Sequence, residues 1–524
     1  MLRPEAGRLS RRESARVAEP TSPVPLYRSQ PSSEGVRQRE DGSGGAARRR
    51  IEKPQGLIDV RERNPAARSS LRLVGAVATA LAVASPAAAE TLESALSRAY
   101  QANPALNAAR AGLRATDEDV NRFQSGYRPN AAISADIGVQ QFQGQVSRIP
   151  IGGRQGLTVP SGAGITINQN LFDGFQTDNR VRAAESTVLS TRESLRQTEM
   201  NTLFNAAQAY MNVLSDTATL ELQRNNVEVL EEQLRQTRDR FNVGEVTRTD
   251  VAQAEARLAG ARSQVATAEA NLRASIGIYR QIIGVEPRQL APGRPLDRYV
   301  PGNLDQAIAI GLREHPQILA SLHAVDVAEL QVKVAEGALA PQAQLTGAVQ
   351  QRYDQQFPGD NGVTASIVGR VNIPIYQGGA EYALVRQAKE NVGQARLVAD
   401  RDRDTIRASI VRTWGNLEAS KAQVIASQAQ VQANEVALNG VREEARVGQR
   451  TTLDVLNAQQ ELLNARVNLI LAQRNRVVNS YDVVQAVGRL TVRFTALPVT
   501  PYSPREHFDQ VRDLWFGLRT PDGR

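Results

Sequence analysis

Apolar and polar residues alternate in several short segments of this chain. Between Val363 and Ile375 the odd positions are apolar or glycine and the even positions are mostly polar, which is the period of a β-strand with one apolar face. Residues 345–353, 133–139 and 165–171 alternate in the same way. These segments predict two strands in each half of the chain. Strands of about ten residues are long enough to cross a bilayer in a barrel.

Long helices are predicted to follow the strands. The 67 residues from Phe175 to Phe241 contain no proline or glycine, which predicts a helix of about 100 Å. Apolar residues recur there at every seventh position and again 204 residues later, a pattern typical of coiled-coil packing. The positions are Ala206, Val213, Leu220, Val227, Leu234 and Phe241, then Ile410, Leu417, Val424, Val431, Leu438 and Ala445. A returning helix follows each stretch, with apolar positions in 251–268 and 455–472.

The two halves share one plan, which indicates an internal duplication. "TLESALSRAYQANPAL" (91–106) resembles "NLDQAIAIGLREHPQI" (303–318), and "NLFDGF" (170–175) resembles "PIYQGG" (374–379). Each half should begin with two short helices, the second starting at Pro104 or Pro316 because proline suits the first helical position. We expect that second helix to end before Pro129 or Pro341. We therefore predict a first repeat at 90–302, a second at 303–492 and a C-terminal tail at 493–524.

A short phrase recurs where each long helix should end. "FNVGEVTRTDV" (241–251) is repeated as "ARVGQRTTLDV" (445–455). Its glycine can adopt the left-handed conformation that terminates a helix. The threonine three residues later is a good N-cap, and the next aspartate suits the positive end of the returning helix. The phrase predicts a tight helix–helix turn with a capping box that uses Asp in place of Glu.

Charge and composition identify the N-terminal region as a separate segment. Residues 1–72 hold 16 basic and 9 acidic side chains, so they account for +7 of the net charge of +8. We expect 1–67 to be a disordered leader and 68–89 a signal peptide, with a basic start, a short apolar run and Ala87-Ala88-Ala89 as the cleavage pattern. Because a leader before a signal peptide is unusual, translation is expected to start downstream of Met1, at Leu57 or Val60.

The composition argues against several functional classes. Without the leader the chain is almost neutral, so no nucleic-acid partner is expected. The chain has no cysteine and three histidines, His315, His323 and His507, which have no metal-binding spacing. Neither a phosphate-binding loop nor a nucleophile elbow is present. We predict no enzyme activity, no catalytic residue, no metal site and no cofactor.

The combined pattern predicts an α+β membrane protein with long antiparallel coiled-coil helices and four β-strands per chain. Four strands cannot close a membrane barrel, since the smallest known ones have about eight strands. An open sheet edge cannot lie in lipid, because its backbone groups would lack hydrogen-bond partners. The chain must therefore combine its strands with those of further copies. Two copies would give eight strands and three would give twelve.

With these features the chain resembles the TolC family of outer-membrane efflux and secretion ducts over roughly 91–492. The resemblance rests on the duplication, on the junctions "LFDGF" and "IYQGG", and on the turns "RFNVGEVTRTDVAQAEA" and "VGQRTTLDVLNAQQEL". It implies a homotrimer with a twelve-stranded β-barrel in the outer membrane and a helical α-barrel in the periplasm. Such ducts are passive and receive cargo from an inner-membrane transporter through a periplasmic adaptor protein.

The resemblance also assigns roles to residues of the two turns. It implies adaptor contacts at Val243, Gly244 and Glu245 and at Val447, Gly448 and Gln449. Glu245 replaces a residue that is often apolar in the family, so a basic or polar adaptor residue is expected opposite it. Asp454 matches a ring of carboxylates at the periplasmic entrance, whereas Asn457 replaces the Asp of a second ring. Arg450 matches a basic gate residue with Asp250 as its partner, and Ala445 replaces a tyrosine of that lock, which predicts easier opening.

Two other readings are compatible with parts of the sequence. A non-transport coiled-coil structural protein of the envelope would explain the helices, although it needs neither amphipathic strands nor a signal peptide. For Asp454, a purely structural role as a helix cap competes with the carboxylate ring, and one residue can serve both. The cargo, which could be a drug, a metal, a polysaccharide or a protein, is not encoded in a recognisable motif.

Overall fold

The computed structural model describes residues 89–142, 156–355 and 359–523. The expected leader at 1–67 and nearly all of the expected signal peptide at 68–89 lie outside these residues. The chain divides into two units, Met1–Ala82 and Val83–Arg524, and the description that follows concerns the second unit.

Each half of this unit contains two short helices, two long strands, a very long helix and a returning helix. The first half consists of α1 (Leu92–Ala102), α2 (Pro104–Gln124), β1 (Asn130–Ile137), β2 (Gln140–Phe142), β3 (Gly156–Thr158), β4 (Ser161–Phe172), α3 (Gln176–Asn242) and α4 (Arg248–Ile283). The second half consists of α5 (Leu304–Glu314), α6 (Pro316–Gly337), β5 (Gln342–Tyr353), β6 (Asn361–Asn372), α7 (Ala380–Arg446) and α8 (Thr452–Ala486). Both long helices, α3 and α7, have 67 residues. The pairing of β2 with β3 was not expected from the sequence.

The predicted helix boundaries agree with the structure to within a few residues. Prolines open α2 and α6, and the preceding side chains cap them. The Oδ1 of Asn103 accepts hydrogen bonds from the N–H groups of Ala105 and Leu106 at 3.0 and 3.2 Å. At the corresponding position of the second half, the Nδ1 of His315 accepts one from the N–H of Gln317 at 3.2 Å. These side chains occupy donors that have no partner in the first turn of a helix.

The four long strands form one antiparallel sheet in the order β1-β4-β5-β6. The pairing places side chains from all four strands in rows. One row is Ile133, Ile165, Val349 and Ala365, and another is Ala131, Ile167, Gly347 and Ile367. The alternate rows face the other side of the sheet and are small or polar: one is Ala132, Thr166, Ala348 and Ser366, and another is Ser134, Gly164, Gln350 and Thr364. The sheet therefore has one apolar and one polar face, as the alternation predicted.

A salt bridge crosses the polar face of the sheet. The Nη1 of Arg352 on β5 lies 2.6 Å from Oδ1 of Asp136 on β1, with β4 between the two strands. Gly162 of β4 lies between these two residues in the pairing, and a Cβ atom there would lie 2.7 Å from the Cδ of Arg352. The missing side chain at Gly162 lets the arginine reach across the middle strand.

The sheet joins the helices through a close contact between two glycines. Gly174 precedes α3, and Gly337 ends α6. A Cβ atom on Gly337 would lie 2.5 Å from the carbonyl oxygen of Gly174, so a larger residue would force the two segments apart. This contact fixes the point where the chain leaves the sheet and enters the long helix.

The heptad positions are buried or partly buried, with one exception, and several of them form contacts between the long and returning helices. Leu234 on α3 is buried with Leu258 on α4, and Leu438 on α7 is buried with Leu462 on α8. Phe241 was predicted to be a core position, and this is wrong because its side chain is 42% exposed. The residue lies in the last turn of α3, beyond the packed segment of α4.

The largest buried cluster lies where α1 and α2 pack on α3. Tyr210 of α3 is fully buried there, and its hydroxyl donates to the carbonyl oxygens of Glu90 and Ala291 at 2.7 and 2.6 Å. A smaller cluster joins α5, α6, α7 and α8 around Ile410 and Leu417. Among the described helices, none combines the length and the apolarity required to cross a membrane.

The C-terminal region contains two further short helices, α9 (Val492–Thr495) and α10 (Pro504–Val511). The expected boundary between the second repeat and the tail at 492/493 falls inside α9. The sequence offered no element for the tail, whereas the structure packs α10 against α2. The buried His507 of α10 contacts Asp117 of α2 through an Nδ1–Oδ2 distance of 3.1 Å.

Candidate functional site

Both predicted turns close with the same pair of backbone hydrogen bonds. In the first turn, the N–H of Gly244 donates to the carbonyl of Phe241 at 3.0 Å. The N–H of Glu245 donates to the carbonyl of Arg240 at 2.9 Å. Gly244 and Gly448 both have a φ of +81°, and the two bonds around such a glycine form a Schellman motif. In the second turn the corresponding bonds run from Gly448 to Ala445 and from Gln449 to Glu444.

The predicted capping boxes are confirmed at both returning helices. The Oδ2 of Asp250 accepts from the N–H and the hydroxyl of Thr247 at 2.9 and 2.7 Å. The Oδ2 of Asp454 accepts from the same groups of Thr451 at 3.0 and 2.8 Å. These hydrogen bonds to Thr247 and Thr451 lower the pKa values of both carboxyl groups, so both are ionised at neutral pH.

Each turn exposes an apolar side chain at its tip. Val243 is 73% exposed and Val447 is 70% exposed. Next to Val243, the carboxylate of Glu245 forms a salt bridge with the Nε of Arg240 at 2.9 Å. Gln449 occupies the position of Glu245 in the second turn, so this turn lacks that negative charge. The two tips therefore present similar shapes with different charges.

The proposed gate pair, Arg450 with Asp250, does not form within a single chain. The Nε of Arg450 lies 2.8 Å from a carboxylate oxygen of Glu444, at the end of α7. The carboxylate of Asp250 is occupied by Thr247. Sequence reasoning overlooked Glu444, although its separation of six residues from Arg450 across a tight turn could have suggested the contact.

Side-chain packing places the two turns at the same end of the helices. Leu456, five residues into α8, is buried with Leu230 and Leu234 near the end of α3 and with Ala254 and Leu258 near the start of α4. The returning helix of the second half therefore contacts the hairpin of the first half close to both turns.

Asn457 has a partner that the sequence did not reveal. Its Oδ1 accepts a hydrogen bond from Nη2 of Arg257 on α4 at 2.7 Å. Arg257 was not among the predicted site residues, because a repeat shows which positions are equivalent and leaves open which of them are in contact. The amide of Asn457 thus contacts a cationic side chain of its own chain. By the resemblance, related ducts carry an Asp of the second ring at this position.

No group of three or more His, Cys, Asp or Glu side chains with the geometry of a metal site occurs among the described residues. The turns hold ionised carboxylates, guanidinium groups and exposed valines. These groups can bind and orient partners or ions, and they include no paired nucleophile and base.

A sheet with one apolar face, joined to very long paired helices that end in tight turns, is the architecture of outer-membrane channels with a helical extension. The Campylobacter jejuni CmeC outer membrane channel has this fold, with a TM-score of 0.69 at 19% identity, over 80% of this chain and 89% of CmeC. The family model described as outer membrane efflux protein matches residues 95–284 and 308–489. The chain belongs to this family of outer membrane efflux proteins, which is the TolC family that the sequence resembles.

Relatives of known name agree with this assignment. The chain is 43% identical to the outer membrane efflux protein BepC of Brucella suis biovar 1 (strain 1330) over 458 residues, which is 87% of this chain and 97% of BepC. It is 27% identical to the outer membrane protein TolC of Escherichia coli (strain K12), over 77% of this chain and 83% of TolC. The protein is an outer-membrane exit duct for efflux or secretion that extends into the periplasm.

Proposed function

We propose that the protein is the passive exit duct of a tripartite efflux or type I secretion system and works as a homotrimer. In this proposal a periplasmic adaptor joins its helical end to an inner-membrane transporter. The observation that carries the proposal is the placement of two exposed-valine turns at the same end of the long helices. Both alternatives occur among the relatives. BepC is named an outer membrane efflux protein, and AprF of Pseudomonas aeruginosa, which is 25% identical to this chain, is named an alkaline protease secretion protein.

The sheet supports assembly with further copies of the chain. Its outer strands, β1 and β6, each pair on one side only among the described long strands, so their other edges carry unpaired backbone groups. Lipid cannot hydrogen-bond such groups, and pairing β1 with β6 of another copy would remove both edges. Three copies would form a barrel of twelve strands with the apolar rows facing lipid. The alternative of a non-transport coiled-coil protein gives no role to this amphipathic sheet.

The turns support docking of an adaptor. Val243 and Val447 would lose exposed apolar surface in such a contact, and Glu245 adds a negative charge at only one of the two tips. Three copies would display six tips of two alternating kinds. We expect the adaptor to place an apolar residue near each valine and a basic or polar residue near Glu245.

The gate would be formed by the second turn. Three Asp454 carboxylates around a narrow entrance would attract cations, and they are ionised because of the capping bonds. Asn457 adds no charge to this ring. Arg450 would stabilise the closed state by pairing with Asp250 of a neighbouring copy, for which it must leave Glu444. Ala445 offers no hydroxyl to this lock.

Site-specific crosslinking tests the adaptor contact. A photoreactive residue in place of Val243 or Val447 in the native host should capture one periplasmic protein, identified by mass spectrometry. The same residue in place of Ile425, which is exposed on α7 about six turns before its end, is the matched control. Equal capture at all three positions would contradict docking at the turns.

Single-channel recording tests the gate. Asp454→Asn should weaken the block by divalent cations in planar bilayers, because it removes the charge from the entrance. Thr451→Ala removes a capping hydroxyl and keeps the carboxylate, so it separates loss of the cap from loss of the charge. If both variants conduct like the wild type in the presence of divalent cations, Asp454 is only a helix cap.

A further inference from the structure

A short apolar segment near the C-terminus is almost fully exposed. Phe516 is 89% exposed, Leu518 is 102% exposed and Trp515 is 60% exposed. Leu514 precedes them, and Gly517 between them has a φ of +132°, a conformation that a residue with a side chain rarely adopts. A contiguous exposed patch of this kind usually marks a surface that contacts a partner or a membrane.

Contacts of the C-terminal tail with α2, and with Arg128 just after α2, define where residues 514–518 lie. His507 contacts Asp117, and the carbonyl of Leu514 then accepts a hydrogen bond from Nη1 of Arg128 at 2.9 Å. The chain returns afterwards, since Asp522 lies 3.8 Å from the Nε of Arg114. From position 117 to 128 the path advances about 16 Å towards the sheet. The tail therefore runs to the end of α2 and back, and residues 515–518 form its apex.

This apex lies at the level where the sheet begins. Arg128 comes two residues before β1, and its guanidinium group stacks on Trp515 with its Cζ 4.7 Å from the ring centroid. Exposed aromatic side chains occur at the same end of the strands, namely Tyr127, Phe172, Phe175 and Tyr376. Aromatic residues that border the apolar band of a barrel mark the boundary between membrane and water.

We propose that residues 514–518 insert into the periplasmic leaflet of the outer membrane. Phe516 and Leu518 enter the acyl region, and Trp515 lies at the level of the headgroups. Arg128 and the following Arg519 extend towards the lipid phosphates. The segment lies at the end of the sheet where β1 begins, so in this proposal one lipid surface covers both. The proposal requires the outer-membrane location of the protein and is independent of the adaptor and the gate.

The two tryptophans of the chain allow a direct test with the full-length protein. Trp414 lies 34 residues beyond the start of α7, which places it about 50 Å from the sheet, against the cluster around Ile410 and Leu417. Trp414→Phe leaves Trp515 as the reporter, and Trp515→Phe leaves Trp414. Each variant is reconstituted into phosphatidylcholine vesicles, with the acyl chains brominated or not. Bromine quenches tryptophan emission on contact.

The expected result is a clear loss of Trp515 emission in vesicles whose acyl chains carry bromine close to the headgroups, where Trp515 lies, and no loss of Trp414 emission. If Trp414→Phe fails to fold, the difference between wild type and Trp515→Phe gives the same information. In the Trp414→Phe background, changing both Phe516 and Leu518 to Ser should reduce the quenching. Unquenched Trp515 emission would overturn the proposal. A blue-shifted but unquenched emission would overturn it as well, because it would show contact with protein instead of lipid.

Discussion

Acid should destabilise the helical region through one buried imidazole. His315 is 3% exposed, and burial, with a smaller contribution from Arg196, lowers its pKa to about 4 from the ordinary 6.5. Because the folded-state pKa is the lower one, unfolded chains bind the proton more readily. Protonation therefore favours the unfolded chain. The free energy of unfolding keeps its full value above pH 6.5 and decreases as the pH falls from 6.5 towards 4. Between pH 7 and pH 5 the loss is about 2 kcal/mol per chain.

The first half of the chain suggests the variant that tests this. Asn103 caps α2 at the position where His315 caps α6, and asparagine does not titrate. Helix unfolding is followed by circular dichroism in detergent at pH 7, 6 and 5. His315→Asn should lose less thermal stability than the wild type as the pH falls. His323→Asn, at a partly exposed position, is the matched control.

Comparison of the variants at each pH removes contributions from other titrating groups. The carboxylates of the capping boxes, for example, are the same in all three proteins. If His315→Asn and the wild type lose equal stability between pH 7 and pH 5, the buried imidazole does not cause the acid sensitivity. Equal behaviour of His315→Asn and His323→Asn would contradict the reasoning in the same way.

Three further predictions concern packing, backbone contact and capping. Leu417→Ala should cost about 2–5 kcal/mol because the side chain is fully buried, whereas Ile425→Ala, at a 69% exposed position, should cost little in the same thermal melts. Gly337→Ala should lower the melting temperature more than Gly112→Ala, because a new Cβ at Gly337 would lie 2.5 Å from the carbonyl oxygen of Gly174, whereas one at Gly112 would have no atom within 4 Å. Equal effects would argue against a tight junction. Thr247→Ala should cost about 1 kcal/mol and speed amide exchange in the first turn of α4, and unchanged exchange would show that the cap contributes little.

Periodicity in the sequence was sufficient for the long strands, for the long and returning helices and for much of their packing. A period of two identified the four long strands, and the heptads identified the coiled-coil positions, apart from Phe241. These patterns are readable because each side chain faces a direction set by its own backbone. The turns were readable for a similar reason, since the left-handed glycine and the capping threonine and aspartate satisfy local backbone groups.

Contacts between distant segments were not readable in this way. A period shows which face of a strand is apolar and leaves its neighbour open, so the pairing of β4 with β5 emerged only from the structure. The hydrogen bond of Arg257 with Asn457 and the preference of Arg450 for Glu444 also depend on where whole helices lie.

The sequence by itself thus determined the main helices, the four long strands and the two turns, because local backbone geometry and hydrogen bonding specify them. The tertiary structure decided which residues meet. It paired the strands of the two halves in one sheet. It also brought residues 514–518 to the foot of the sheet, a position that follows from contacts with Asp117, Arg128 and Arg114, about 400 residues away in sequence. Such contacts leave no period or motif in a single sequence.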